Sequence, residues 1–476
     1  MAFSRISPIT RVKVLASCVV LIVGFSLATY VDGYHGDGRP ILTWRSLAPV
    51  NRESKLPSHL AEVDGGTPGS AIDLSATTEL DSPQFRGSDR SGIVRGVRLS
   101  RDWSRTPPKL LWWHPIGMGW SSFAVRGDFC VTQEQWGEEE VVACYELRTG
   151  RARWVHRDTA RFHEVTGGDG PRATPTIQGG RVFALGATGI LNCLDGSNGR
   201  PIWSRNILAD AKVKNRPFGM ASSPLVLDGM VVVCPGGKGR SLVAYEEATG
   251  KFLWGCGDSP AGYSSPVSTE LAGARQILNF NADGLFAHDI HTGRLLWNFP
   301  WLTPPEMNNV CQPIPLPTDS SAGLDRVFIS SGYNKGSAVL GIKHDADGFH
   351  VESQWANKEL KAKFSSCVIH DGFVYGLDER ILTCLDLRTG TRRWKSGRYG
   401  YGQLVLVDDL LLIQADSGGI ALVEASPDAH RELARFPALE HRTWNYPVVA
   451  GSLLLVRNDR EAACYELPLD EGSAGK

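Results

Sequence analysis

One short pattern recurs along this chain and limits what it can fold into. Cys384-Leu385-Asp386-Leu387-Arg388-Thr389-Gly390 is followed, four residues after the glycine, by Trp394. The same order appears at Tyr145-Glu146 with Thr149-Gly150 and Trp154, and at Leu194-Asp195 with Asn198-Gly199 and Trp203. It appears again at Tyr245-Glu246 with Thr249-Gly250 and Trp254, and at His288-Asp289 with Thr292-Gly293 and Trp297. An acidic side chain can accept hydrogen bonds from the backbone just ahead of it, and glycine takes the positive φ that a tight reversal needs. Each copy therefore predicts a strand, a turn and a returning strand that carries an indole. The tryptophans at 154, 203, 254 and 297 are 43 to 51 residues apart, the length of one four-stranded propeller blade.

The rest of each unit reads as strands too. Innermost strands are expected after Thr174-Pro175, Ser223-Pro224, Ser265-Pro266, Gln312-Pro313, Ser365-Ser366 and Tyr446-Pro447, since proline suits the first residue of a strand. Gly/Asp turns and alternating runs such as Phe373-Val374-Tyr375 complete four strands per unit. The units at 313–355 and 403–436 lack the Thr-Gly turn. The segment 109–113, Lys-Leu-Leu-Trp-Trp, is an aromatic strand with no unit before it, and the last unit ends at Cys464-Tyr465-Glu466-Leu467 with no tryptophan strand after it. Because an open ring would expose sheet edges, the orphan is expected to complete the last unit. The outer-strand aromatics are then Trp112 or Trp113, Trp154, Trp203, Trp254, Trp297, Trp355, Trp394 and Phe436. The expected fold is all-β: an eight-bladed propeller of four-stranded antiparallel blades spanning 83–467, with a disordered tail at 468–476.

Ahead of it, Arg5, Arg11 and Lys13 flank an uncharged, mostly apolar run at 14–31, about 27 Å long as a helix. A retained anchor and a cleaved signal peptide both fit, the second because Ser26-Leu27-Ala28 resembles a cleavage site. Either exports the body to the periplasm or cell surface. The segment 32–82, rich in Gly, Pro, Ser and Asp, reads as a flexible tether. With a net charge of -1 and a pI near 6.9, no global field would draw nucleic acid or anionic lipid.

The repeat, an apolar pair and then Asp-x-x-Thr-Gly-x-x-x-Trp, resembles that of the pyrroloquinoline quinone (PQQ)-like propeller family over 83–467, and Pro83-Gln84-Phe85-Arg86-Gly87 resembles the opening of exported members. The resemblance implies that Trp154, Trp203, Trp254, Trp297 and Trp394 dock between neighbouring blades. The family has a calcium- and PQQ-dependent dehydrogenase branch and a cofactor-free scaffold branch that includes the BamB subunit of the β-barrel assembly machinery. The dehydrogenases use a disulfide between adjacent cysteines as the cofactor platform, and this chain has no adjacent cysteine pair. PQQ, calcium and other metals are therefore not expected.

Nor does another catalytic motif stand out. His163-Glu164 lacks the second histidine of a zinc-protease motif, and His288 and His291 sit at a repeated hairpin. The loop 235–241 lacks phosphate-loop spacing. Cys144, Cys193, Cys384 and Cys464 occupy the place that Ala244 and Ala287 take in other units, which reads as inert core thiols. Whether any of the nine cysteines after Cys18 pair, such as Cys234 with Cys256, is open from the sequence.

Binding remains. The loops leading into the innermost strands surround a propeller's channel, and they carry Trp120, Arg172, Met220, Tyr263, Asn309, Lys363, Tyr401 and Trp444. Aromatics and cations converging there suit a peptide, a polysaccharide or an envelope protein. The competing reading is that they only fill the channel. The expected function is a monomeric, non-catalytic scaffold in the cell envelope. The alternatives are a PQQ-dependent dehydrogenase and a ligand-sensing ectodomain, the latter weakened by the few residues before the apolar run.

Overall fold

The computed structural model describes residues 29–44, 55–65, 72–78, 80–304, 307, 309–319 and 323–470. Within them eight sheets follow one another along the chain as the blades of a propeller. Blades 1 to 7 span 124–158, 176–206, 225–256, 267–300, 314–357, 368–398 and 403–437. Blade 8 takes Val448–Ala450, Leu453–Arg457 and Glu461–Glu466, and its fourth strand is Lys109–Pro115, antiparallel to Glu461–Glu466. Trp112, not Trp113, faces Cys464 across that pair. Trp113 is 52% exposed and donates to Glu461. Blade 7 gains a fifth strand, Ile93–Val94, parallel to its innermost strand Gln403–Val407. The apolar run at 14–31 lies outside the described residues except for its last three, which begin the strand Thr29–Tyr34. Among the described residues no helix is long and apolar enough to cross a membrane.

The repeated pattern locks blade to blade. In each of the five signature turns the glycine N–H donates to the carbonyl of the acidic residue four positions earlier, as Gly390 does to Asp386 at 2.8 Å. The five glycines, 150, 199, 250, 293 and 390, have φ between 68° and 74°. Each lies under the indole of the preceding blade: Trp112 over Gly150, Trp154 over Gly199, Trp203 over Gly250, Trp254 over Gly293 and Trp355 over Gly390. The indole N–H then donates to the carbonyl just after the acidic residue, as from Trp154 to Gly196, Trp203 to Glu247 and Trp355 to Leu387, each at 2.9 Å. Trp254 lies over its glycine without that bond. Blades 5 and 7 lack the turn, and their neighbours adapt. Trp297 donates within its own blade to Gln276 while packing on blade 5, and Trp394 donates to Ser426 of blade 7.

The cysteine positions follow from the same geometry. Cys144, Cys193, Cys384 and Cys464 stand directly across from Trp154, Trp203, Trp394 and Trp112, as Ala244 and Ala287 stand across from Trp254 and Trp297. The residue opposite an indole turned to the next blade is small in these six blades and a valine, Val339, opposite Trp355. The nine described cysteines are free thiols. In blade 7 the equivalent residue is Ala434, not Phe436; Phe436 packs on Tyr465 and Trp103 instead.

A hydrogen-bonded belt joins the inner strands. Ser122 N–H donates to Thr174 Oγ1, Thr174 N–H to Ser223 Oγ, and Ser223 N–H to Ser265 Oγ. Ser265 N–H donates to Gln312 Oε1 and Gln312 N–H to Ser366 Oγ, at 2.7 and 3.0 Å. The hydroxyl or amide just before the proline, or at its equivalent, is thus the rivet between successive blades.

The described parts of 32–82 do not read as a free tether. Thr29–Tyr34 and Pro40–Trp44 form a hairpin whose tip lies at one mouth of the channel. Leu60, Ile72 and Leu74 are buried against blades 1 and 2, and Asp81 pairs with Arg126. Apolar side chains every few residues and short Asx turns let this glycine-rich stretch adhere to the ring. Of the tail, Pro468 and Asp470 bond the backbone of Ser100 and Arg98.

Candidate functional site

The channel is closed at depth by residues 83–92. Arg86, 2% exposed, donates to the carbonyls of Ser91 and Cys367 at 2.6 and 2.7 Å. Arg90, 4% exposed, donates to the carbonyls of Pro266, at 2.8 Å, and of Pro224. A buried guanidinium needs acceptors on all sides, and the carbonyls at the starts of the inner strands supply them. Burial lowers Arg90 to about 9, still cationic at neutral pH.

Between this floor and the rim lies a cavity of about 430 Å³. The belt hydroxyls of Ser122, Thr174, Ser223, Ser265 and Ser366 ring its lower wall, with Phe85 and Tyr446 edge to face at 5.5 Å. The upper wall is aromatic. Trp120 and Trp444 lie 5.1 Å apart, and Phe364 is 5.2 Å from Trp444. Tyr263 meets Phe218 at 6.0 Å, and Tyr333 lines the same space. Cations stand among the rings: Arg442 is 4.4 Å from the Trp444 centroid and 4.9 Å from that of Trp120. Lys363 Nζ lies 4.8 Å from the centroid of Tyr333 and 5.1 Å from that of Tyr401. Burial pulls the Lys363 ammonium below its ordinary range and brings Arg172 to about 10.

Five residues expected at the rim line this cavity: Trp120, Arg172, Tyr263, Lys363 and Trp444. Three do not. Met220, 2% exposed, is turned into the core between blades 2 and 3. The Asn309 amide is spent on loop carbonyls at Asn281 and Trp301, and its own carbonyl oxygen accepts from Ser331. Tyr401 is covered by Phe364 and by the hairpin tip. Phe364, Phe218, Tyr333 and the tip residues 35–38 were not anticipated, because the loops do not repeat in register and the hairpin was read as tether.

The donor set does not suit a calcium–quinone centre. Calcium takes six to eight oxygen ligands, usually with several carboxylates. Asp37 is the one carboxylate among the described lining residues, and it pairs with Arg380 at 2.9 Å. No group of three or more His, Cys, Asp or Glu side chains among the described residues is placed to hold a metal ion. Nor does any described cysteine line the cavity.

Residues 138–396 match a family model described as outer membrane protein assembly factor BamB. A segment is 36% identical over 117 residues to the outer membrane protein assembly factor BamB of Burkholderia pseudomallei (strain K96243), covering 23% of this chain and 26% of that protein, so the match spans about a quarter of the relative's length. Among solved structures, BamB from Moraxella catarrhalis superposes with a TM-score of 0.55 at 14% identity, over 76% of this chain and 100% of that one. A quinohemoprotein alcohol dehydrogenase from Pseudomonas putida HK5 superposes with a TM-score of 0.60 at 14% identity, over 90% and 84%. At such identities the two structures share the fold and do not choose between the branches. More than half of the residues fall within the family match, and the chain belongs to the PQQ-like repeat propellers described as outer membrane protein assembly factor BamB.

Proposed function

We propose that this protein is an exported, non-catalytic propeller that binds a peptide segment or envelope partner at its channel mouth, without quinone or calcium. The observation that carries this reading is the aromatic cavity itself. Rings from six loops and cations from three converge on one space, whose described lining offers a single, already paired carboxylate. Such a site can desolvate apolar groups and orient them through hydrogen bonds, which is what recognition requires. The one carboxylate of the described lining is held by Arg380, which favours binding over bond making. The family match and the Burkholderia relative, both described as assembly factors, support a role beside other envelope proteins.

The test uses the full-length protein as bait in envelope fractions, alongside the double variant Trp120→Ala/Trp444→Ala. Capture should fall at least tenfold in the variant. Stability lost with capture unchanged would reduce the rings to channel filling. The dehydrogenase reading is tested separately, by adding calcium and PQQ and following dye-linked alcohol or sugar oxidation. Any turnover sinks the proposal.

A further inference from the structure

The hairpin of residues 29–44 meets the ring at its tip, through polar and aromatic contacts, and along one edge through polar ones. Its two strands pair only with each other and add to no blade. Two of its large apolar side chains, Val31 and Leu42, face solvent at 48% and 51% exposure. Yet the tip is recognised in detail. The Gly36 α-carbon is pressed between Tyr401 and Phe364, so that a Cβ there would lie 2.5 and 2.7 Å from their rings. The Gly36 carbonyl accepts from Lys363 Nζ at 2.6 Å, the ammonium that also lies among Tyr333, Phe364 and Tyr401. The Asp37 carboxylate pairs with Arg380 at 2.9 Å. Further back, Arg442 donates to the Tyr34 carbonyl at 2.8 Å and Arg460 pairs with Asp32 at 2.5 Å.

These contacts have the form of a ligand in its site. The glycine fills a slot too narrow for any side chain, a carbonyl is held by a caged ammonium, and a carboxylate is held by a guanidinium. An isolated two-stranded hairpin is marginally stable in water, so what holds the tip in place is this set of contacts. We propose that the channel mouth is a receptor site for a glycine–aspartate turn, occupied in cis by residues 34–39 as a displaceable self-ligand. The trans ligand is a peptide turn in which glycine precedes a carboxylate. Its glycine docks on Tyr401 and Phe364, its carbonyl on Lys363 and its carboxylate on Arg380. The inference rests on the rim-binding reading and narrows it to one ligand class. It also makes the free mouth a minor state, so the apparent affinity for a partner is reduced by the fraction of molecules whose hairpin is released.

Gly36→Ala in the full chain separates the possibilities. Gly36 does not lie in the left-handed region, so alanine adds a clash at the slot and no backbone strain. Hydrogen exchange over 29–44 should rise in G36A while the blades stay protected. A fluorescent, cyclised peptide of residues 32–41 should bind G36A at least tenfold more tightly than the unmodified protein. Adding Lys363→Ala and Arg380→Ala to G36A should cost at least tenfold, as should alanine in place of glycine 36 in the peptide. Unchanged exchange in G36A would overturn the self-ligand, and so would equal peptide binding by the two proteins. Undiminished binding after loss of Lys363 and Arg380 would overturn the turn chemistry. Envelope capture that depends on Trp120 and Trp444, measured on the same G36A protein, reports on the rim reading independently, so either idea can fail while the other stands.

Discussion

If the indole of one blade and the glycine of the next form a single joint, the cost of filling that glycine depends on the indole above it. Blade 3 offers a matched pair. Gly250 has φ +69°, and a Cβ there would lie 2.7 Å from Trp203. Gly229, in the same blade, has φ +74° with nothing within 4 Å of the same hypothetical atom. Alanine at either site takes on left-handed backbone, at about 1–2 kcal/mol. At Gly250 it must also push the indole aside, adding about 1–3 kcal/mol of overpacking, and it puts at risk the bond from Trp203 to the Glu247 carbonyl, worth about 1 kcal/mol. G250A should therefore lose about 2–6 kcal/mol and G229A about 1–2 kcal/mol.

Urea denaturation followed by fluorescence and circular dichroism gives both values if the two probes coincide; if they separate, midpoints are compared instead. The decisive measurement is a double-mutant cycle. In a Trp203→Ala background the obstacle is gone, and the excess cost of G250A over G229A should vanish. An excess that persists without the indole would mean that the glycine serves its turn alone. Equal costs of G250A and G229A in the native background would refute the joint outright.

Three other outcomes follow from the same contacts. Glu140 is buried, accepting from Ala187 N–H and Thr188 hydroxyl, and burial raises it to about 7; since its unfolded value is near 4.3, its proton favours the folded state, stability falls as pH rises from about 4 to 7, and Glu140→Gln should remove about 3 kcal/mol of that fall, seen as wild-type minus variant stability at pH 4.5 and 8. Arg90→Ala should destabilise by about 1–3 kcal/mol and expose residues 83–92 to exchange, because it takes the guanidinium donor from the Pro266 carbonyl and leaves the Pro224 carbonyl only the Thr176 hydroxyl. Of the described thiols only Cys256 is more than slightly exposed, so alkylation of the native protein should mark it first, and slowly, since burial raises its thiol to about 12.

The ring was legible because its determinants repeat. A positive-φ glycine, an acidic residue and an indole recur at fixed spacing, and each has one local reason to be there. Exceptions appear where the partner blade has changed. Trp297 keeps its place in the sequence yet bonds Gln276, because blade 5 has no turn to receive it. The sequence pattern also could not choose Trp112 over Trp113; only the register with Cys464 does. The mouth was legible in part for the opposite reason. Its loops differ blade by blade, so counting back from the innermost strand finds Trp120 and Trp444 but puts Met220 on the rim, although its side chain enters the core. Gly36 carried no signal at all. Its role comes from a contact with Tyr401, 365 positions away in a chain otherwise read through local repeats.

That division has a functional consequence. Cohesion of the ring is distributed over indole joints and the belt from Ser122 to Ser366, all of which lie between blades or below the rim. The mouth contributes little to them: Lys363 and Arg380 bond the hairpin and take no part in the indole joints or the belt. Side chains freed from holding the ring together can vary without unfolding it, and the ring fixes where they point. On the proposed reading such a scaffold exchanges one tip for another with little change in stability, because Lys363 and Arg380, which hold the tip, belong neither to the indole joints nor to the belt.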